Sequence, residues 1–225
     1  MQLTSALPAP PAIEPSRRIG LWAEFSMLFA GVPILMLLMA GLFPLFPVLG
    51  ALLALAIFLL GRTPGFEWRE LLGGNLRGWI GFAALYAAIT AVCCTMLVLT
   101  LSPQSFLGFP TYATERWLMV MALYPIFSAL PQEIIFRPLF FRRYGALFPA
   151  PLAAVLANGA IFAIGHLFYQ NAVAIGLTTL AGLVIGYAYL RSGSFIVALL
   201  LHALGGMIVF TVGLGRYFYH GAIPS

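Results

Sequence analysis

A single carboxylate, Glu133, stands in the apolar stretch from Trp117 to Phe141, in the run Pro131-Gln132-Glu133-Ile134-Ile135-Phe136-Arg137. An ionisable side chain at membrane depth is expensive, so it is a functional candidate by default. Arg137 follows four residues later and shares its helical face. The two form either a buried ion pair that neutralises two costly charges or a catalytic carboxylate held by a guanidinium. Two histidines stand in later apolar stretches. His166 closes Phe162-Ala163-Ile164-Gly165-His166, and His202 lies in Leu200-Leu201-His202-Ala203-Leu204-Gly205-Gly206. Taken alone, each histidine is more often structural, bonded to a neighbouring helix. A carboxylate and two imidazoles on three separate stretches point instead to a shared polar cavity, where such groups can take a proton from water.

The elements that must position them are membrane helices. The chain is 62% hydrophobic, 8% charged and has a mean hydropathy of +1.02. Soluble domains carry about 25% charged residues, so an ordinary soluble globule is excluded. A membrane barrel is excluded too, because its strands alternate apolar and polar residues, whereas Ala51 to Leu60 is continuously apolar. The expected fold class is all-α, a polytopic membrane helix bundle of about seven transmembrane spans. These are Leu21–Ala40, Leu42–Leu60, Trp79–Leu101, Trp117–Phe141, Pro151–Tyr169, Ala172–Leu190 and Ser194–Leu214, each close to the roughly 20 residues that cross a bilayer. The polar active-site cavity is expected between spans four, five and seven. Pro125, Pro131 and Pro138 predict that span four is kinked or split. Gly182 and Gly186 form a small-xxx-small pair that predicts close helix packing in span six. Adjacent Cys93 and Cys94 read as small packing residues.

All eleven cationic side chains are arginines. With the N-terminus inside, Arg17, Arg18, Arg62, Arg69, Arg77, Arg142, Arg143 and Arg191 lie on the cytoplasmic side and only Arg116 and Arg216 outside. That bias predicts N-in and C-out, and makes nucleic acid an unneeded explanation of the charge. Residues 1–20 are expected to be a disordered cytoplasmic tail, 21–215 a single transmembrane domain and 216–225 a short C-terminal tail. The segment Gly61 to Arg77, with Glu67, Trp68, Arg69 and Glu70, reads as lying at the cytoplasmic interface.

In this order and spacing the motifs resemble the CPBP intramembrane protease family, which includes the CAAX prenyl endopeptidases and bacterial Abi proteins. Gln132 to Arg137 resembles that family's Glu-Glu-x-x-x-Arg motif, Phe162 to His166 its Phe-x-x-x-His motif, and His202 its third motif. The similarity covers roughly Leu118 to Val212. It implies an intramembrane endopeptidase acting on a membrane-associated protein or peptide, with Glu133, His166 and His202 catalytic and Gln132, Arg137 and Phe162 supporting. It also implies an integral location, and the compact size points to a bacterial inner membrane.

Two positions depart from the pattern. Gln132 stands where the family has its first glutamate, and Gly206 where an asparagine is usual. A glutamine amide is no general base. Glu133 is then the base in a variant geometry, with Gln132 supplying the missing amide donor; or the chain is a non-catalytic scaffold or chaperone of the same fold; or Gln132 is an introduced change that traps an inactive form. The first is favoured, because Glu133, Arg137 and both histidines are retained. A helical zinc motif with two histidines one turn apart is absent. Glu133, His166 and His202 leave a three-ligand divalent metal site open, but a metal-free glutamate-type hydrolase with no cofactor is favoured. From other classes come a haem protein with His166 and His202 as axial ligands, and a proton-coupled transporter, which the lack of an internal repeat weakens.

Overall fold

The computed structural model describes residues 14–39, 42 and 44–218. Among these every regular element is helical. Six helices are long and apolar enough to cross a membrane: α1 Pro15–Leu38, α3 Arg77–Leu101, α4 Thr114–Leu147, α5 Pro151–Tyr169, α6 Ala172–Ser192 and α7 Phe195–Val212. The shorter α2, Leu45–Gly61, has 17 residues and extends about 26 Å at 1.5 Å per residue. The architecture is therefore the expected all-α bundle of about seven spans. Most of the tail expected for 1–20 lies outside the described residues. From Pro15 onward that segment is helical, because proline at the first helical position needs no N–H partner. The C-terminal tail is described only to Phe218.

Local sequence explains the helix ends. The Asn171 side chain accepts from the Ala174 N–H at 2.8 Å and starts α6. Gly193, at φ +63°, ends it in the left-handed conformation. Ser194 then caps α7 by accepting from the Val197 N–H at 3.4 Å.

Span four is longer than Trp117–Phe141 and is neither split nor interrupted. It runs continuously through three prolines because the backbone widens to π-helix over Pro125–Ala129 and Ile135–Tyr144. A π turn takes up the bonding mismatch that a missing proline N–H creates. Every residue from Glu133 to Phe141 is buried, so this part of α4 is enclosed on all sides. Its only charged side chains, Glu133 and Arg137, pair with each other there.

The other close packing follows from glycine. A Cβ on Gly182 would lie 2.9 Å from Phe162 Cβ and 3.0 Å from Gly159 Cα, and one on Gly186 would lie 2.7 Å from Asn158 Oδ1. The small-xxx-small pair thus brings α6 against α5, and Gly186 specifically makes room for a polar side chain. The most buried of the spans is α7, which packs on α3, α4 and α6. On the outside, α3 shows Leu85, Ile89, Val92 and Met96, an apolar girdle suited to lipid.

One end of the bundle gathers charge. Arg143 holds Glu24 through Nε–Oε1 at 2.5 Å and Nη2–Oε2 at 2.8 Å. Arg142 pairs with Glu70 at 3.2 Å, and Arg18 donates to the Leu147 carbonyl at 3.1 Å. The start of α1, the segment after α2 and the end of α4 are thereby pinned together.

Candidate active site

Glu133 and Arg137 sit side by side on α4, both fully buried. Arg137 Nε donates to Oε2 at 3.0 Å and Nη2 to Oε1 at 3.3 Å. Their fourfold spacing survives the change in helix type that begins at Ile135. A second donor reaches Oε1 from α7: His202 Nδ1, at 2.7 Å. A carboxylate only accepts, so Nδ1 carries the proton and Nε2 faces away from Glu133. Both oxygens of Glu133 are therefore engaged, one by a cation and one by both the cation and an imidazole.

The remaining guanidinium contact comes from Asn158 of α5, which sequence reasoning missed. Arg137 Nη1 donates to Asn158 Oδ1, and Asn158 Nδ2 donates to the Phe136 carbonyl at 2.6 Å. Asn158 thus ties the guanidinium and the widened α4 backbone to α5. A signal existed: it is the sole polar side chain in Pro151–Ile164.

Phe162 stands between the histidines as an aromatic hinge. Its ring centroid is 4.7 Å from that of His166 and 5.4 Å from that of His202, and the Arg137 guanidinium carbon lies 5.1 Å above it. A haem liganded by both imidazoles would need the space that this ring fills. Within the described residues no three His, Cys, Asp or Glu side chains converge in a metal-binding arrangement, because Glu133 is wrapped by Arg137 and His202 while His166 lies beyond Phe162.

His166 is set differently. Its Nδ1 lies 2.7 Å from the Phe162 carbonyl. A carbonyl only accepts, so Nδ1 holds the proton and Nε2 keeps its lone pair. The ring lines a cavity of about 70 Å³, together with Gln132, Phe136, Phe29, Leu49 and Tyr169. A water needs about 10–15 Å³ of such space, so several fit.

The buried polar cluster joins spans four, five and seven, and the cavity that His166 lines lies between α1, α2, α4 and the end of α5. The reason is helical geometry. Gln132 and Glu133 point about 100° apart, so one meets the cavity and the other the cluster. The Gln132 amide donates to Ser128 Oγ at 3.0 Å.

Residues 114–208 match the family model described as Type II CAAX prenyl endopeptidase Rce1-like. The matched segment runs from the start of α4 into α7 and holds Gln132, Glu133, Arg137, Phe162, His166 and His202. It agrees with the resemblance that the three motifs carry, and that family is one of membrane-embedded proteases. No curated protein and no solved structure matches the chain.

Proposed function

We propose that this chain, whose residues 114–208 match the CAAX prenyl endopeptidase family, is an intramembrane endopeptidase. It hydrolyses a peptide bond of a membrane-associated protein or peptide in the cavity lined by Gln132 and His166. It sits in a bacterial inner membrane with its N-terminus in the cytoplasm, as the arginine distribution favours. The observation that carries the reading is the placement of His166: its Nδ1–H is committed to the Phe162 carbonyl, and its ring lines a cavity with room for water.

The chemistry follows from the parts. His166 Nε2 takes a proton from water as the water oxygen attacks the peptide carbonyl carbon, and the carbonyl pair moves onto oxygen. The tetrahedral oxyanion then re-forms its C=O bond, the C–N bond breaks, and the His166 proton passes to the leaving nitrogen. Gln132 holds the water or the peptide by its amide. Glu133 acts one step back, as the buried anion that fixes the tautomer and ring of His202, the role a carboxylate plays behind a catalytic histidine. Both its oxygens are already occupied, which argues for this role over that of the base.

A second reading has its own observation. Among the described residues lining the cavity none is an Asp or a Glu, which suits a non-catalytic scaffold or chaperone that holds a peptide there. Cleavage of a co-expressed panel of membrane-anchored reporter peptides separates the two. The hydrolase reading expects cleavage by the wild type and none by His166→Ala. Equal cleavage by both would remove it. Reporters that cross-link to the cavity and stay intact with the wild type would establish the scaffold.

A further inference from the structure

The cavity that Gln132 and His166 line is shut off at one end of the bundle. Its walls are α1, α2, α4 and the last turn of α5. Arg143 of α4 ties the first three together at their arginine-rich ends. It pairs with Glu24 of α1, and its Nη1 donates to the Leu59 carbonyl of α2 and to Thr63 Oγ1 just beyond it, each at 3.4 Å. The Tyr144 hydroxyl donates to Glu24 Oε1 at 2.5 Å. A layer of rings separates this network from the cavity. Phe25 meets Phe29 at 5.2 Å and Tyr144 at 5.7 Å between centroids. Phe29 meets both Tyr144 and Phe136 at 5.7 Å. A peptide arriving from that side would have to break a partly buried ion pair and part the rings.

Exposure rises toward the other end. Leu28, Phe29, Leu49 and Phe136 line the cavity and are buried, whereas Met36 near the end of α1, Leu45 at the start of α2 and Tyr169 in the last turn of α5 are partly exposed. There α1 and α2 lean on different neighbours: the second half of α1 packs on Leu167–Tyr169, and α2 packs on α4. The cavity occupies the wedge between them, at the end that carries the α1–α2 turn. The arginines at the closed end, Arg17, Arg18, Arg62, Arg142 and Arg143, favour the cytoplasm, which puts the turn on the opposite side of the membrane. Hydrolysis consumes water, so the cavity must exchange with solvent. Among the described lining residues only Gln132, His166 and Tyr169 bear polar side chains, so a peptide is gripped there mainly by apolar burial.

We propose that the cavity opens beside the α1–α2 turn, on the extracytoplasmic side. Its substrate is then a membrane-anchored peptide whose cleavage site lies on that side, close to the anchor, with an apolar side chain seated between α1 and α2. Water enters by the same mouth. The inference rests on the hydrolase reading and the orientation given above.

The test places single cysteines in the full-length protein, with Cys93 and Cys94 replaced by alanine, and reads labelling by a membrane-impermeant maleimide in vesicles of a bacterial inner membrane. Met36→Cys and, separately, Leu45→Cys report the mouth. Gly61→Cys, at an exposed position with open space around it, reports the arginine-rich end. In right-side-out vesicles both mouth cysteines are expected to label and Gly61→Cys is not. In inverted vesicles the mouth labelling is lost and Gly61→Cys labels. Mouth cysteines that label only in inverted vesicles, or in neither preparation, overturn the inference. A second arm uses two reporters with the same apolar peptide and the same transmembrane anchor, the peptide extracytoplasmic in one and cytoplasmic in the other. The wild type is expected to cleave the first and leave the second intact. Equal or preferential cleavage of the cytoplasmic reporter sinks this inference and leaves the hydrolase reading standing. Cleavage of neither, with the mouth cysteines labelled from outside, removes the hydrolase reading and the substrate while the outward opening stands.

Discussion

Glu133→Gln distinguishes an anchor from a base. In the structure the carboxylate is fully buried, accepts two hydrogen bonds from Arg137 and one from His202, and among the described residues the guanidinium's other partners are uncharged, the Asn158 amide and the Phe162 ring. The substitution keeps the shape and removes the charge. Arg137 is then a buried cation with no anion beside it. Removing one partner of a buried pair costs about 3–5 kcal/mol, whereas replacing both by uncharged groups is often close to neutral. The prediction is therefore a cycle: Glu133→Gln and Arg137→Leu each lower stability by about 3 kcal/mol, and the double variant recovers most of the loss. Reversible unfolding of the purified protein in detergent micelles measures it, and the coupling energy is the sum of the single effects less the double. A base facing substrate behaves in the opposite way, since Glu133→Gln would then abolish turnover and leave stability near that of the wild type. That pattern, or strictly additive single effects, would refute the reasoning from buried pairing.

Three further outcomes follow from other parts of the structure. Gly186→Ala places a Cβ 2.7 Å from Asn158 Oδ1. It should cost about 1–3 kcal/mol by overpacking in the same unfolding experiment, and an unchanged midpoint would show that Asn158 is not held by that contact. Gln132→Glu adds a carboxylate to the cavity that His166 lines. Reporter cleavage should rise toward about 100-fold, the lower end of what a positioned base supplies, and a fall would place the reaction elsewhere. With Phe162 packed against both imidazoles, the purified protein should show no Soret band, and a band near the wild-type stoichiometry would revive the haem reading.

Much of the architecture was legible in residue order. Apolar runs of membrane length gave the bundle, and the glycines at 182 and 186 announced close helix packing in span six. The fourfold spacing of Glu133 and Arg137 announced their pairing. These are local properties, since helix periodicity alone decides which residues share a face. The order of residues also said that Gln132 and Glu133 diverge, but not what each would meet. That depended on partners far along the chain: His202, 69 residues from Glu133; Asn158, 21 residues from Arg137; and Tyr124, which fills the space left by Gly206. The span assignment survived, but a hydrophobic pattern fixes that a helix is buried and leaves open which neighbour it is buried against. Three prolines argued for a kinked or split span four, and the helix is not split: its backbone widens to π-helix and runs on. The sequence by itself determined which groups are present and which share a face. Only tertiary packing decided that Glu133 is enclosed and that Gln132 opens on water-sized space, because neighbouring helical residues point about 100° apart and the surrounding helices settle what lies in each direction.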